Sequence, residues 1–170
     1  YKMSENKIKK QQYERIGTID VDKVLPFIEQ YMDSKEKIRI DIDGYFVNVS
    51  SLRLKTFFLH GTNCSCCENK ASFFAVERST GTNSPYHINL YGYDKDGAEI
   101  LFTHDHILAR GLGGSDTIDN TRTSCGPCNW KKGKLEHLIK HTTDENEKNI
   151  LEEQLKQFLP NHLKNTFKIK

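Results

Sequence analysis

No stretch of this 170-residue chain carries the roughly 20 consecutive apolar residues that a membrane-crossing helix needs. The opening residues, YKMSENKIKKQQYER, lack the apolar segment of a secretion signal. Charge of one sign is scarce too. Lys and Arg number 25 against 23 Asp and Glu, so a net of +2 does not by itself announce a polyanionic partner. Internal repeats and low-complexity segments are missing, which excludes solenoid and linker-like organisation. Five cysteines without a secretion signal point to a reducing compartment, where thiols hold metals or do chemistry rather than form disulfides. A cytoplasmic location without a membrane partner is the expectation.

What charge bias exists sits at the ends. Residues 1–15 carry five Lys or Arg against two Glu, and residues 156–170 carry four Lys and no acid. Such ends read first as solvated tails and second as phosphate contacts. The length suffices for one core, or one core with a small appendage.

Residues 1–17 read as a loose lead-in. From Val21 to Met32, apolar residues at helical spacing predict a helix capped by Asp20 or Asp22, with Pro26 starting it late or kinking it. IRIDI and YFVNV alternate around Asp43-Gly44, a strong hairpin signal. Ser50–His60 reads as a short helix with Leu52, Phe57 and Leu59 inward. FFAVE, HINLYGY and EILFTHDHI are three strands, the last two joined at Asp96-Gly97. Beyond Asn129 a helix is expected to about Lys132, a break at Gly133, and a second short helix. Thr142-x-x-Glu145 then caps a last helix whose apolar face is Leu151, Leu155, Phe158 and Leu159, stopped by Pro160.

Two knuckles, Cys64-x-x-Cys67 and Cys125-x-x-Cys128, can give four thiolates to one tetrahedral zinc, with Cys66 as the spare. The gap between them exceeds the usual zinc-ribbon spacing. Four thiolates leave no open position, so such a zinc is structural. A closed site of this kind contributes an apparent ~10–16 kcal/mol to folding.

The most informative stretch is HDHILARGLGGSDTIDNTRTSCGPCNWKKGK, His104 to Lys134. An Asp-His pair (Asp105, His106) ends an apolar run and a loop with three glycines follows. Asn120 comes next, and then the second knuckle runs directly into Asn129 and a basic segment. In order and spacing this resembles the HNH, or ββα-metal, nuclease signature, with Asn in place of the last His. More loosely, Val47 to Thr103 is similar to small HNH proteins carried by bacteriophages and bacteria.

The resemblance implies an α+β protein: a ββα-metal core clamped by structural zinc, an N-terminal helix-hairpin element (1–55), a nuclease domain (56–141) and a C-terminal helical arm (142–170). It implies a divalent-metal-dependent endonuclease acting on DNA. Asp105 and Asn129 would hold Mg²⁺ or Mn²⁺, and His106 would activate water as general base. Asn120 would fix the loop and orient the base from the second strand of the hairpin. Because strand alternation sends Asp105 and His106 to opposite faces, the backbone is expected to leave regular strand geometry there.

Arg110, Arg122, Lys131 and Lys132 are candidate phosphate contacts. His104 reads as a surface neighbour. Trp130 reads as core packing beside the zinc ahead of base stacking. One active site cuts one strand, so a monomer should nick, and a double-strand cut would need a homodimer or two visits. One alternative is a structure-specific or packaging-associated nuclease that works only within a larger phage or host nucleic-acid complex. The competing reading is a zinc-stabilised DNA-binding or regulatory protein with a silent nuclease site.

Overall fold

The alternating runs FFAVE, HINLYGY and EILFTHDH become β4 (Ala71–Ser79), β5 (His87–Tyr93) and β6 (Glu99–His106) of an antiparallel sheet. The computed structural model describes residues 12–165, so the basic runs at 1–11 and 166–170 lie outside the described residues. Strand order is β1-β4-β5-β6-β7, with β1 at Tyr13–Asp20 and β7 at Thr121–Cys125. No helix among the described residues is long and apolar enough to cross a membrane.

Strand β1 corrects the expected loose lead-in. It pairs with β4 from Tyr13↔Ser79 to Asp20↔Phe73, with an irregularity between Arg15 and Gly17. Its sequence hides this because an edge strand needs little apolar patterning: only Ile19 is buried. Backbone pairing and Arg15 do the holding. That guanidinium donates to Glu77 at 3.3 Å and Glu99 at 2.8 Å, and lies 4.7 Å from the Tyr91 ring centre.

Helix α1 (Val21–Gln30) starts at once and runs through Pro26, with Val24 and Ile28 on its buried face. Strands β2 (Arg39–Ile42) and β3 (Tyr45–Asn48) form a separate hairpin. Asp43 and Gly44 both take positive φ, 53° and 86°, as the two-residue turn demands. Helix α2 (Leu52–His60) is capped by the Ser51 hydroxyl, which accepts from Leu54 N. Its buried face is Leu54, Thr56 and Phe57: Phe57 lies inward as expected, while Leu52 is only half-buried. Leu59 is 51% exposed.

Helix α3 (Gly126–His141) is unbroken at Gly133, whose position is open on every side, so the expected interruption is absent. Glycine there costs about 1 kcal/mol of helix propensity without stopping the helix. Helix α4 (Glu145–Lys156) takes its cap from Asp144, which accepts from Glu147 N at 2.9 Å. Thr142, the expected cap, donates to the Glu147 carboxylate instead. A four-residue turn of helix, α5 (Asn161–Lys164), follows Pro160.

The main core joins α1, α2 and the sheet through Ile19, Val24, Ile28, Val47, Phe57, Phe74, Ile88, Leu90 and Phe102. A smaller cluster, Ile139 with Leu151 and Leu155, holds α4 on α3. The boundary expected between residues 55 and 56 falls inside α2, and β1 shares the sheet with β7.

Candidate active site and zinc cluster

The four-cysteine cluster is built from three places. Cys64 and Cys67 lie in the loop after α2, Cys125 ends β7, and Cys128 stands in the first turn of α3. The loop is tied to β7 by Ser65 N donating to Thr123 O at 2.9 Å, and closed by Cys64 N donating to Asn69 O at 2.9 Å. The four Sγ atoms lie within 4.8 Å of one another, Cys67 and Cys125 at 3.6 Å. Bonds of about 2.3 Å in a tetrahedron put sulfurs roughly 3.8 Å apart, so zinc fits. Cys66 stands outside the four. Backbone N–H groups of Cys66 and Cys125 donate to Cys64 Sγ at 3.4 and 3.3 Å, favouring thiolate.

Strand β6 stays regular through the Asp-His pair, against expectation: Asp105 pairs with Arg122 and His106 with Thr121. Alternation therefore sends the two side chains apart. Asp105, 5% exposed, meets α3. Its Oδ2 accepts from Arg122 Nε at 3.1 Å and its Oδ1 from Lys132 Nζ at 3.0 Å. Lys132 also donates to the His106 carbonyl at 2.7 Å and to Glu136. Asn129, Lys132 and Glu136 recur at helical spacing, so one side of α3 carries all three. Burial pushes the Glu136 carboxyl up, with Lys132 opposing. Arg122 Nη2 is buried with no hydrogen-bond partner among the described residues.

His106 faces the other way. Its Nε2 lies 2.7 Å from Asp116 Oδ1, and this contact holds the Asp116 carboxyl below its ordinary range. Asp116 belongs to the glycine-rich loop, which Asn120 clamps. Asn120 Oδ1 accepts from Leu108 N at 3.0 Å, and its Nδ2 donates to Leu108 O at 2.9 Å and Ser115 O at 2.8 Å. Asn120 sits in the short 3₁₀ turn before β7 rather than on the strand. Gly114 makes the loop possible: a Cβ there would lie 1.8 Å from Leu108 O.

A histidine at a strand end and a clamped loop thus meet on one face of β6, with the buried Asp105 carboxylate on the other face toward α3. Residues 94–143 match the HNH endonuclease family. No curated protein and no solved structure matches the chain.

The HNH segment gains residues from outside itself. Pairing of β5 with β6 ends at Leu90↔Phe102, and the strands part beyond it. Into that gap α2 sends Arg53, which donates to Asn89 Oδ1 and, at 2.8 Å, to Ile88 O. The result is a cleft of about 430 Å³ lined by Arg53, His87, His104, Arg110 and Asp116 among others. His104, expected at the surface, is half-buried on this side. Its ring centre is 5.4 Å from that of His106, and burial lowers its pKa. Nothing local in the sequence marks Arg53, and Asp116 shows only as one acid in a glycine-rich loop.

The candidate phosphate contacts divide. Arg110 and Lys131 are exposed. Lys132 is 1% exposed and Arg122 6%, both engaged with Asp105. Trp130, expected in the core, is 67% exposed because position 130 turns away from the Lys132 face of the helix.

Proposed function

We propose that this chain is a divalent-metal-dependent endonuclease that hydrolyses DNA phosphodiester bonds, with His106 as general base. The observation that carries the reading is the His106 ring held by Asp116, which lines the cleft and stands on a loop that Asn120 fixes by three hydrogen bonds. A positioned histidine supplies ~10²–10⁴ in rate when it takes a proton from water.

Asp105 and Asn129 would hold Mg²⁺ or Mn²⁺. Each Asp105 oxygen has one cationic donor and keeps a second lone pair, so the hard oxygen set that these ions prefer is available. When bound, the ion neutralises phosphate charge and stabilises the leaving oxygen. Arg110 and Lys131, both exposed, contact neighbouring phosphates, and Arg122 holds Asp105 from its buried position. Lys132 orients Asp105 and the end of β6. A single site nicks one strand per visit.

The competing reading is a zinc-stabilised DNA-binding protein with a silent site, and the two cations on Asp105 favour it. Supercoiled plasmid with and without Mg²⁺ separates the two. Wild type should nick only with the ion, and His106→Ala should lose ~10²-fold or more while keeping zinc, fold and DNA affinity. Plasmid left intact by wild type with Mg²⁺ and with Mn²⁺ would favour the silent site. Equal nicking by His106→Ala would remove His106 from the mechanism.

A further inference from the structure

Helix α3 turns an unusual face to water. Its exposed side chains are Pro127, Trp130, Lys131, Lys134, His137, Leu138, Lys140 and His141, and its one acid, Glu136, is drawn inward by Lys132. No carboxylate of the helix therefore offsets that basic face. In its midst stands the chain's only tryptophan, 67% exposed. Lys134 Nζ lies 5.6 Å from the indole centre, an arrangement that steadies the ring while most of it stays in water. Trp130 directly follows Asn129.

We infer that Trp130 stacks on an unpaired base of a DNA strand beside the phosphate presented to Asn129. The substrate class is then DNA with a single-stranded or unstacked position at the cleavage point. This rests on the nuclease reading above. Charge identifies the partner as a polyanion, and the bare indole identifies the part of it that lacks a neighbour. In an intact duplex each base is already covered on both faces, so a flat apolar ring gains a partner only where a strand is open. Every base has a π-face, so the contact carries no sequence preference.

The single tryptophan makes the test direct. Zinc-loaded His106→Ala protein, without Mg²⁺ or Mn²⁺, is titrated with a labelled single strand, a duplex of the same sequence and a gapped duplex. Label anisotropy reports binding and indole emission reports stacking. Emission should be quenched to saturation by the single strand and the gapped duplex and barely changed by the intact duplex. Trp130→Ala should weaken single-strand binding by roughly five- to a hundredfold, with Trp130→Phe retaining most of the affinity.

Unchanged emission at saturating single strand would overturn the inference, and so would wild-type affinity in Trp130→Ala. Quenching by intact duplex alone would also overturn it, replacing stacking with a wedge into a groove. Plasmid nicking by the wild type is measured beside these titrations. Nicking without quenching overturns the stacking inference alone. Quenching without nicking overturns the nuclease reading and supports a single-strand site at Trp130.

Discussion

At Lys132 a charge that ordinarily points to solvent is 1% exposed and meets three acceptors, on Asp105, His106 and Glu136. With Arg122 it balances Asp105 and Glu136, two positive charges against two negative. Lys132→Met should destabilise the protein by about 3–5 kcal/mol, because it takes the cation from the half-buried Glu136 and leaves the buried Asp105 with Arg122 alone. Adding Glu136→Leu should recover part of the loss. Urea unfolding checks both, and a midpoint unmoved by Lys132→Met would mean that the four groups are not coupled as described. If Asp105 holds an ion as proposed, the same balance should make its binding weak until phosphate arrives. Calorimetric titration of Mg²⁺ into the free protein should give a far poorer affinity than titration into the DNA complex of His106→Ala. At this scale the sequence was legible in part: the four cysteines stand together and Asn120 fixes the loop that carries Asp116 to His106, while Asp105 faces α3 from the other side of β6. Arg53 and Glu136 were not, because a partner is defined by packing. Arg53 reaches Asn89 across 36 positions of chain.

Among the elements, the glycine-rich loop has the least room for error. Gly114→Ala would drive a methyl group into the Leu108 carbonyl and crowd the Asn120 amide at 2.9 Å. Nicking should fall at least tenfold as Asp116 and His106 lose their alignment, a loss of about 1.4 kcal/mol in transition-state binding. Zinc content should be unchanged, since the knuckles lie beyond the loop. The knuckles behave differently. A closed four-thiolate site is worth up to ~10–16 kcal/mol and a domain of this size only ~5–15 in all, so losing the metal outweighs the whole margin. Cys125→Ser should therefore melt the fold, visible as lost near-ultraviolet dichroism, while Cys66→Ser should leave it intact. Buried strands announced themselves by alternation and turns by Asp-Gly. Strand β1 did not, because a polar edge strand held by Arg15 has no apolar period to detect. The continuity of α3 past Gly133 was hidden for a related reason: packing by Leu135 and Ile139 outweighs one residue's propensity.

For the molecule as a whole, the segment matching the HNH family is not self-sufficient. It begins just after β5 ends, and it contains Cys125 and Cys128 but neither Cys64 nor Cys67. Residues 94–143 made alone should be unfolded by circular dichroism and should not bind zinc at four thiolates. A chain running from residue 12 to 165 should do both. Whole-molecule stability should also fall in acid. Burial lowers the His87 pKa, and Asn89 Nδ2 lies 3.2 Å from its Nε2, in position to donate to the neutral ring. Since the folded value lies below the unfolded ~6.5, the unfolded chain takes up the proton first. Stability is then full above about 6.5 and is lost as pH drops from there toward the folded value. Melting followed from pH 7.5 to 5.5 with zinc in excess should show this slope, and His87→Gln should flatten it.

The span between the two knuckles has a consequence for synthesis. Cys64 and Cys125 are 61 positions apart, yet one ion needs both. At ~5–20 residues per second the first knuckle leaves the ribosome several seconds, on the order of ten at the slow end, before the second exists. Throughout that wait Cys64, Cys66 and Cys67 are three adjacent thiols without their partners, and an oxidant that joined any two would strand the clamp half-made. Reducing surroundings should therefore raise the yield of correctly clamped molecule during synthesis.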